Sequence, residues 1–218
     1  MDLIILSAGM SNEVDGFPKL KLRYKNEELN ILDKYLTISK NITPKIIIGY
    51  NALSIINSYP NLNFITNNDW MNTGSAGSLA LGLSNESVII LPCDLFLSDK
   101  VLNYITENIT GNYIISLKKE NKRKNSLSVN SDGVVKDIYR GKSKTNDSEL
   151  TNIYVINNKE IINEWKRRCS LNNKGYAGEF LPFDLFEIKN IIFEEKEIYE
   201  VNTVHDYLAY LGKWYLER

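Results

Sequence analysis

Short apolar runs alternate with amphipathic stretches through the first half of the chain. The runs lie at residues 3–7, 45–49, 63–66, 88–91 and 113–117, and their continuous Ile and Val content predicts strands buried on both faces. Between them, residues 31–39, 52–59, 75–83 and 100–108 predict helices. In the first of these Ile31, Leu32, Tyr35, Leu36 and Ile38 form one apolar stripe. Strands alternating with helices in this way predict an α/β fold, a mostly parallel sheet flanked by helices.

The second half changes character. Residues 126–130 and 134–139 read as strands around the turn Ser131-Asp132-Gly133, and so predict a β-hairpin. A polar loop at 141–149 leads to a strand at 151–156, then a helix at 159–168. A shorter helix is expected at 178–187, with Pro182 in its first turn. Strands at 191–193 and 198–201 and a closing helix over 204–216 complete a mixed region. No repeat, linker or low-complexity segment interrupts the chain, so a single domain is expected over 1–218, with halves at about 1–117 and 118–218.

Composition narrows the function. With 26 basic and 27 acidic side chains in 218 residues the formal charge is −1, and no basic field recommends a nucleic-acid partner. The apolar start at 1–6 is too short to span a bilayer and lacks the charged flank of a signal peptide, so no membrane insertion is expected. Cys93 and Cys169 are single and far apart, which suggests neither a zinc site nor a disulfide; a cytoplasmic location follows.

Three segments carry candidate chemistry. The first strand ends in Leu6-Ser7-Ala8-Gly9, followed by Pro18-Lys19; small residues there let backbone N–H groups approach polyphosphate, and Lys19 supplies a point charge. Asp94 follows Cys93 just beyond an apolar strand, where ligands of open α/β sheets bind, and a carboxylate there suits Mg²⁺. Gly74, Ser75 and Ala76 open a helix with small residues that permit close approach of a base or ribose. The same residues also suit an N-cap and a tightly packed helix.

In this order the segments resemble the sugar-nucleotidyltransferase superfamily of Rossmann-like pyrophosphorylases, whose pattern runs L-x-A-G-x-G-x-R, P-K, G-T-A-G and G-D. The resemblance continues through Asp132-Gly133-Val134-Val135 to Arg140-Gly141-Lys142, similar to D-G-x-V…E-K-P. Thr151-Asn152-Ile153-Tyr154 is similar to the family's T-G-I-Y strand. The final match, Glu200-Val201-Asn202-Thr203-Val204-His205-Asp206-Tyr207, looks most like bacterial phosphocholine cytidylyltransferases.

The resemblance implies a nucleoside triphosphate, CTP favoured, and a small phosphorylated acceptor, with the hairpin region on the acceptor side. It would place Lys19 and Lys142 in catalytic roles on the phosphates and Asp94 and Asn202 on Mg²⁺. The nucleotide would lie against Leu6, Ser7, Ala8, Gly9, Gly74, Ser75, Ala76 and Cys93.

One departure stands out. The family's loop Arg is replaced by Glu13, with Asp15 close behind, and an extended 19–24 segment would be needed to aim Lys21 and Arg23 at the site instead. Trp70, Thr151 and Glu179 are further candidates for the acceptor, Trp70 as an aromatic face for a cationic head. The rival readings are a sugar-1-phosphate nucleotidyltransferase and a non-catalytic nucleotide-binding regulator. A glycosyltransferase would want a second carboxylate at D-x-D spacing, where this chain has Phe96.

Overall fold

The computed structural model describes residues 1–25, 27–39, 42–119, 126–144 and 146–212. In chain order, β1 (Asp2–Ser7), α1 (Ile31–Leu36), β2 (Thr43–Ile48), α2 (Ala52–Ser58) and β3 (Asn63–Thr66) come first. Next are α3 (Ser75–Gly82), β4 (Val88–Pro92), β5 (Leu95–Leu97), α4 (Asp99–Glu107) and β6 (Asn112–Leu117). The hairpin β7 (Leu127–Ser131) and β8 (Val135–Arg140) leads to β9 (Ser148–Ile156) and α5 (Lys159–Leu171). The chain closes with β10 (Lys189–Phe193), β11 (Ile198–Glu200) and α6 (Val204–Tyr210).

Among the described residues one sheet runs β10-β6-β9-β4-β1-β2-β3, with β7 on β9 and β8 on β7. β1 is parallel to β2 and β4, β2 to β3, and β6 to β10; β9 is antiparallel to both β4 and β6. The sheet is therefore mostly parallel, with β9 drawing the two halves of the chain into one layer.

The apolar runs explain this layering, because successive residues supply opposite faces. Leu3, Ile5, Ile46, Ile48, Ile89 and Leu91 pack with Ile31, Leu32, Tyr35 and Ile105 on one side. Ile4, Ile47, Ile90, Ile114 and Tyr154 pack with Leu79, Ile161, Ile162 and Trp165 on the other. Helix starts are set locally: Asn30 and Asp33 exchange side-chain and backbone bonds at α1, and Asn158 caps α5.

One condition is not met and two expectations are corrected. The 19–24 segment is not extended: Lys19–Lys21 form one 3-10 turn, with Leu22 N–H donating to Lys19 O at 2.9 Å. The 178–187 helix is replaced by a 3-10 turn at Ala177–Phe180, capped by Glu179. Pro182 forces Leu181 into extended backbone (ψ 127°) and so lies beyond the turn rather than in it. The 141–149 loop is shorter than expected, since β9 already begins at Ser148. The basic run at 118–124 lies mostly outside the described residues, as does the end of the closing helix. No helix among the described residues is long and apolar enough to cross a membrane.

Candidate active site at the carboxyl ends of the strands

The carboxyl ends of β1, β4 and β6 point the same way, and β9 enters between β4 and β6 from that edge. A cleft opens there, as the geometry of open α/β sheets leads one to expect. It comprises a cavity of about 210 Å³, lined by Leu6, Ser75, Cys93, Asp94 and Thr151 among others, and a wider one of about 650 Å³, lined by Glu13, Asn202 and Asp206 among others. Asp94, Glu149, Leu150, Asn152, Tyr176 and Glu200 border both.

Lys19 and Asp94 meet at this edge, Nζ to Oδ2 at 3.5 Å, although 75 residues apart in sequence. Lys19 is 8% exposed, brought in by the 3-10 turn that follows Pro18. Burial raises the Asp94 carboxyl above its ordinary value; the Lys19 ammonium works against the rise and the Glu200 carboxylate adds to it.

A short strand pair brings the remaining groups in: β11, expected from the sequence at 198–201, and β5, which was not. β5 and β11 are antiparallel, with Leu95 opposite Glu200, and Val201 N–H donates to Asp94 O at 2.9 Å. Glu200 and Asn202 are thus carried beside Asp94. The Asp206 carboxylate accepts from Asn202 N–H at 2.9 Å and Thr203 N–H at 2.8 Å, which fixes the turn that presents Asn202.

The Asn202 Nδ2 is buried and has no partner. Exchanging the two ends of that amide would put an acceptor oxygen in its place. Among the described residues no three His, Cys, Asp or Glu side chains gather into a metal-binding group. Asp94, Glu200 and the Asn202 amide fit Mg²⁺ better, since that ion takes one or two carboxylates and completes its shell with water and phosphate.

The other predicted residues separate into groups. Leu6 and Cys93 line the smaller cavity; burial pushes the Cys93 thiol up to about 12, and Ser7, hydrogen-bonded to it, is itself buried. Ala8 is buried, and its carbonyl accepts from Tyr50 N–H at 3.0 Å. Gly9 is exposed, and a Cβ there would meet nothing within 4 Å.

Gly74 and Ala76 are engaged by protein. Gly74 N–H donates to Asn173 O at 2.8 Å and Ala76 N–H to Gly175 O at 3.1 Å, whereas Ser75 reaches the cavity and its Oγ accepts from Ala177 N–H at 2.9 Å. Thr151 also lines the cavity, with its hydroxyl donating to Ile115 O at 2.6 Å.

Besides Lys19, Ser7, Ala8, Gly9, Gly74 and Ala76, three further predicted residues line neither cavity. Lys142 is exposed beyond β8. Trp70 packs edge-on to Tyr50, with ring centroids 5.3 Å apart. Glu179 is held by Arg140 through two bonds, at 3.0 and 2.9 Å, and accepts from Tyr176 N–H. Lys21 turns away from the cleft toward the Ser54 hydroxyl at 3.4 Å, and so does not replace the missing Arg. Glu149, Asn152, Tyr176 and Glu200 were not anticipated in the cleft. Glu200, two residues before Asn202 in a strand-like run, carried a readable sign.

No protein-family model matches the chain, and no curated protein does. Solved structures do. CTP:phosphocholine cytidylyltransferase from Streptococcus pneumoniae superposes with a TM-score of 0.75 at 16% identity, over 97% of each chain. A nucleoside-diphosphate-sugar pyrophosphorylase from Vibrio cholerae gives 0.71 at 14% identity, over 96% of this chain and 99% of that one. The inositol-1-phosphate CTP transferase from T. maritima gives 0.69 at 15%, over 97% and 95%. The chain therefore has, from end to end, the Rossmann-like fold of the nucleotidyltransferases its motifs resemble.

Proposed function

We propose that the protein is a Mg²⁺-dependent nucleotidyltransferase that passes a nucleotidyl group, preferably from CTP, to a small phosphorylated alcohol, amine or amino acid. The observation that carries this reading is the Lys19–Asp94 pair, a buried ammonium and a carboxylate 3.5 Å apart at the strand ends. The CTP-using enzymes among the similar folds favour the nucleotide choice. The pyrophosphorylase among them keeps a sugar 1-phosphate as the rival acceptor.

The chemistry asks little of the chain beyond placement and charge. An oxygen of the acceptor phosphate attacks the α-phosphorus, the bond to the bridging oxygen breaks, and pyrophosphate leaves. The attacking oxygen is already anionic, so neither a general base nor a covalent nucleophile is required. Lys19 neutralises phosphate charge in a partly dry site, where a fixed donor counts for most. Asp94 and Asn202 would hold Mg²⁺, with Glu200 beside them. When bound, the ion supplies charge neutralisation and aligns the phosphates. Glu149 and Glu200 border the wider cavity and suit an acceptor that carries an amine.

Pyrophosphate release tests the reading. CTP, UTP, GTP and ATP are each paired with phosphocholine and with glucose 1-phosphate, in Mg²⁺ buffer. The expected result is fastest release from CTP with phosphocholine. Release with glucose 1-phosphate alone would overturn the acceptor assignment. No release from any pair, with nucleotide still bound, would leave the non-catalytic regulator as the reading.

A further inference from the structure

Asn152 has an unusual backbone for its position. It lies inside β9 with φ at 60°, the left-handed region that strands avoid and glycine favours. The cause is a bulge. Ile153 pairs with Ile115 and Leu150 with Ser116, so Thr151 and Asn152 have no opposite residues on β6. Such bulges turn a side chain out of the regular alternation. The T-G-I-Y pattern that this strand resembles has glycine at this place, so the present chain adds a side chain where that pattern has none.

That side chain faces the cleft. Asn152 borders both cavities, and so stands with Asp94 at the throat between them. Its Oδ1 accepts from the hydroxyl of the fully buried Tyr154 at 2.9 Å, which fixes the amide plane. Among the described residues nothing accepts from its Nδ2, leaving a neutral donor beside the carboxylates of Asp94, Glu149 and Glu200, which border both cavities together with Leu150 and Tyr176.

We propose that Asn152 determines acceptor specificity: its Nδ2 donates to an oxygen of the acceptor phosphate, and its bulk takes the space a hexose ring would need. The site thereby selects compact phosphorylated acceptors over sugar 1-phosphates. This rests on the nucleotidyl-transfer reading given above.

The test compares wild type, Asn152→Gly and Asn152→Asp in pyrophosphate release with CTP, using phosphocholine and glucose 1-phosphate. Glycine suits a positive φ, but Asn152→Gly also takes the acceptor from the buried Tyr154 hydroxyl, so a modest fall in melting temperature is expected and a thermal melt verifies that the variant stays folded. The variant should also shift the kcat/KM ratio toward glucose 1-phosphate by about tenfold or more, through lost donation and added space. Asn152→Asp keeps the size but loses the donor, and should raise KM for phosphocholine with no gain for the sugar.

A wild type that transfers normally and an Asn152→Gly variant with an unmoved ratio would overturn the specificity role alone. A wild type that transfers to neither acceptor would instead remove the nucleotidyl-transfer reading, and this inference with it.

Discussion

Two glycine-bearing segments flank the cleft, and they carry glycine for different physical reasons. At Gly9, after β1, a Cβ would meet no atom within 4 Å, and φ is not in the left-handed region, so neither packing nor conformation of the protein uses the missing side chain. At Gly74, before α3, a Cβ would lie 2.3 Å from Gly175 O and 2.7 Å from Lys174 O; at Gly77 it would lie 2.9 Å from Asn173 O. There the small residues let the 173–175 loop bond to the start of the helix. Both segments were candidates for nucleotide binding in sequence. At the first the protein leaves the space open, while at the second the protein fills it, and of Gly74, Ser75 and Ala76 only Ser75 lines a cavity.

The largest expected effects fall on the open side. Lys19→Ala should lower kcat by about 10²–10³-fold, as loss of a preorganised donor does. Lys19→Arg should restore only part, because a planar guanidinium does not replace a compact ammonium in a tight phosphate site. Asp94→Ala should be at least as damaging, since it removes the carboxylate proposed for the metal, and Asn202→Ala milder. Steady-state kinetics read all of these, with thermal melts to verify the fold. Near-normal turnover by Lys19→Ala would make Pro18-Lys19 a coincidence of sequence.

Next in size is Gly74→Ala. The added methyl meets backbone carbonyls rather than a yielding side chain, and such overpacking costs about 1–3 kcal/mol. Chemical denaturation should show that loss. An unchanged midpoint would mean that the 173–175 loop yields freely and that the comparison between the two segments is wrong.

Gly9→Ala should have the smallest effect on stability, within about 0.5 kcal/mol. Its consequence should appear instead as a raised KM for the nucleotide. A destabilised Gly9→Ala with unaltered KM would reverse the assignment of the two segments.

How much of this was legible in the chain depends on range. Strands of continuous Ile and Val reveal themselves locally: residues 63–66 match β3 end to end, and the hairpin follows from Asp132-Gly133. Lys19 and Asp94 were legible as candidates, because a small-residue turn and an acid after an apolar strand are local signals.

The pairing of β5 with β11 was not legible, for three residues give too little periodicity, and their partnership joins positions about a hundred residues apart. The bulge at Asn152 depends on register against β6 and leaves no local mark except an amide where the resembling pattern has glycine. The pair of hydrogen bonds from Arg140 to Glu179 likewise depends on two elements meeting, so the sequence offered Glu179 as an acceptor candidate without showing the guanidinium that engages it.

The central claim is that this cleft joins a nucleotide to a phosphorylated acceptor with loss of pyrophosphate. Phosphorus NMR of CTP, phosphocholine, Mg²⁺ and the purified protein tests it most directly. A substituted diphosphate and free pyrophosphate should appear together in equal amounts, and neither should form with Lys19→Ala on the same timescale. Inorganic phosphate without the diphosphate, or equal rates for wild type and Lys19→Ala, would contradict it.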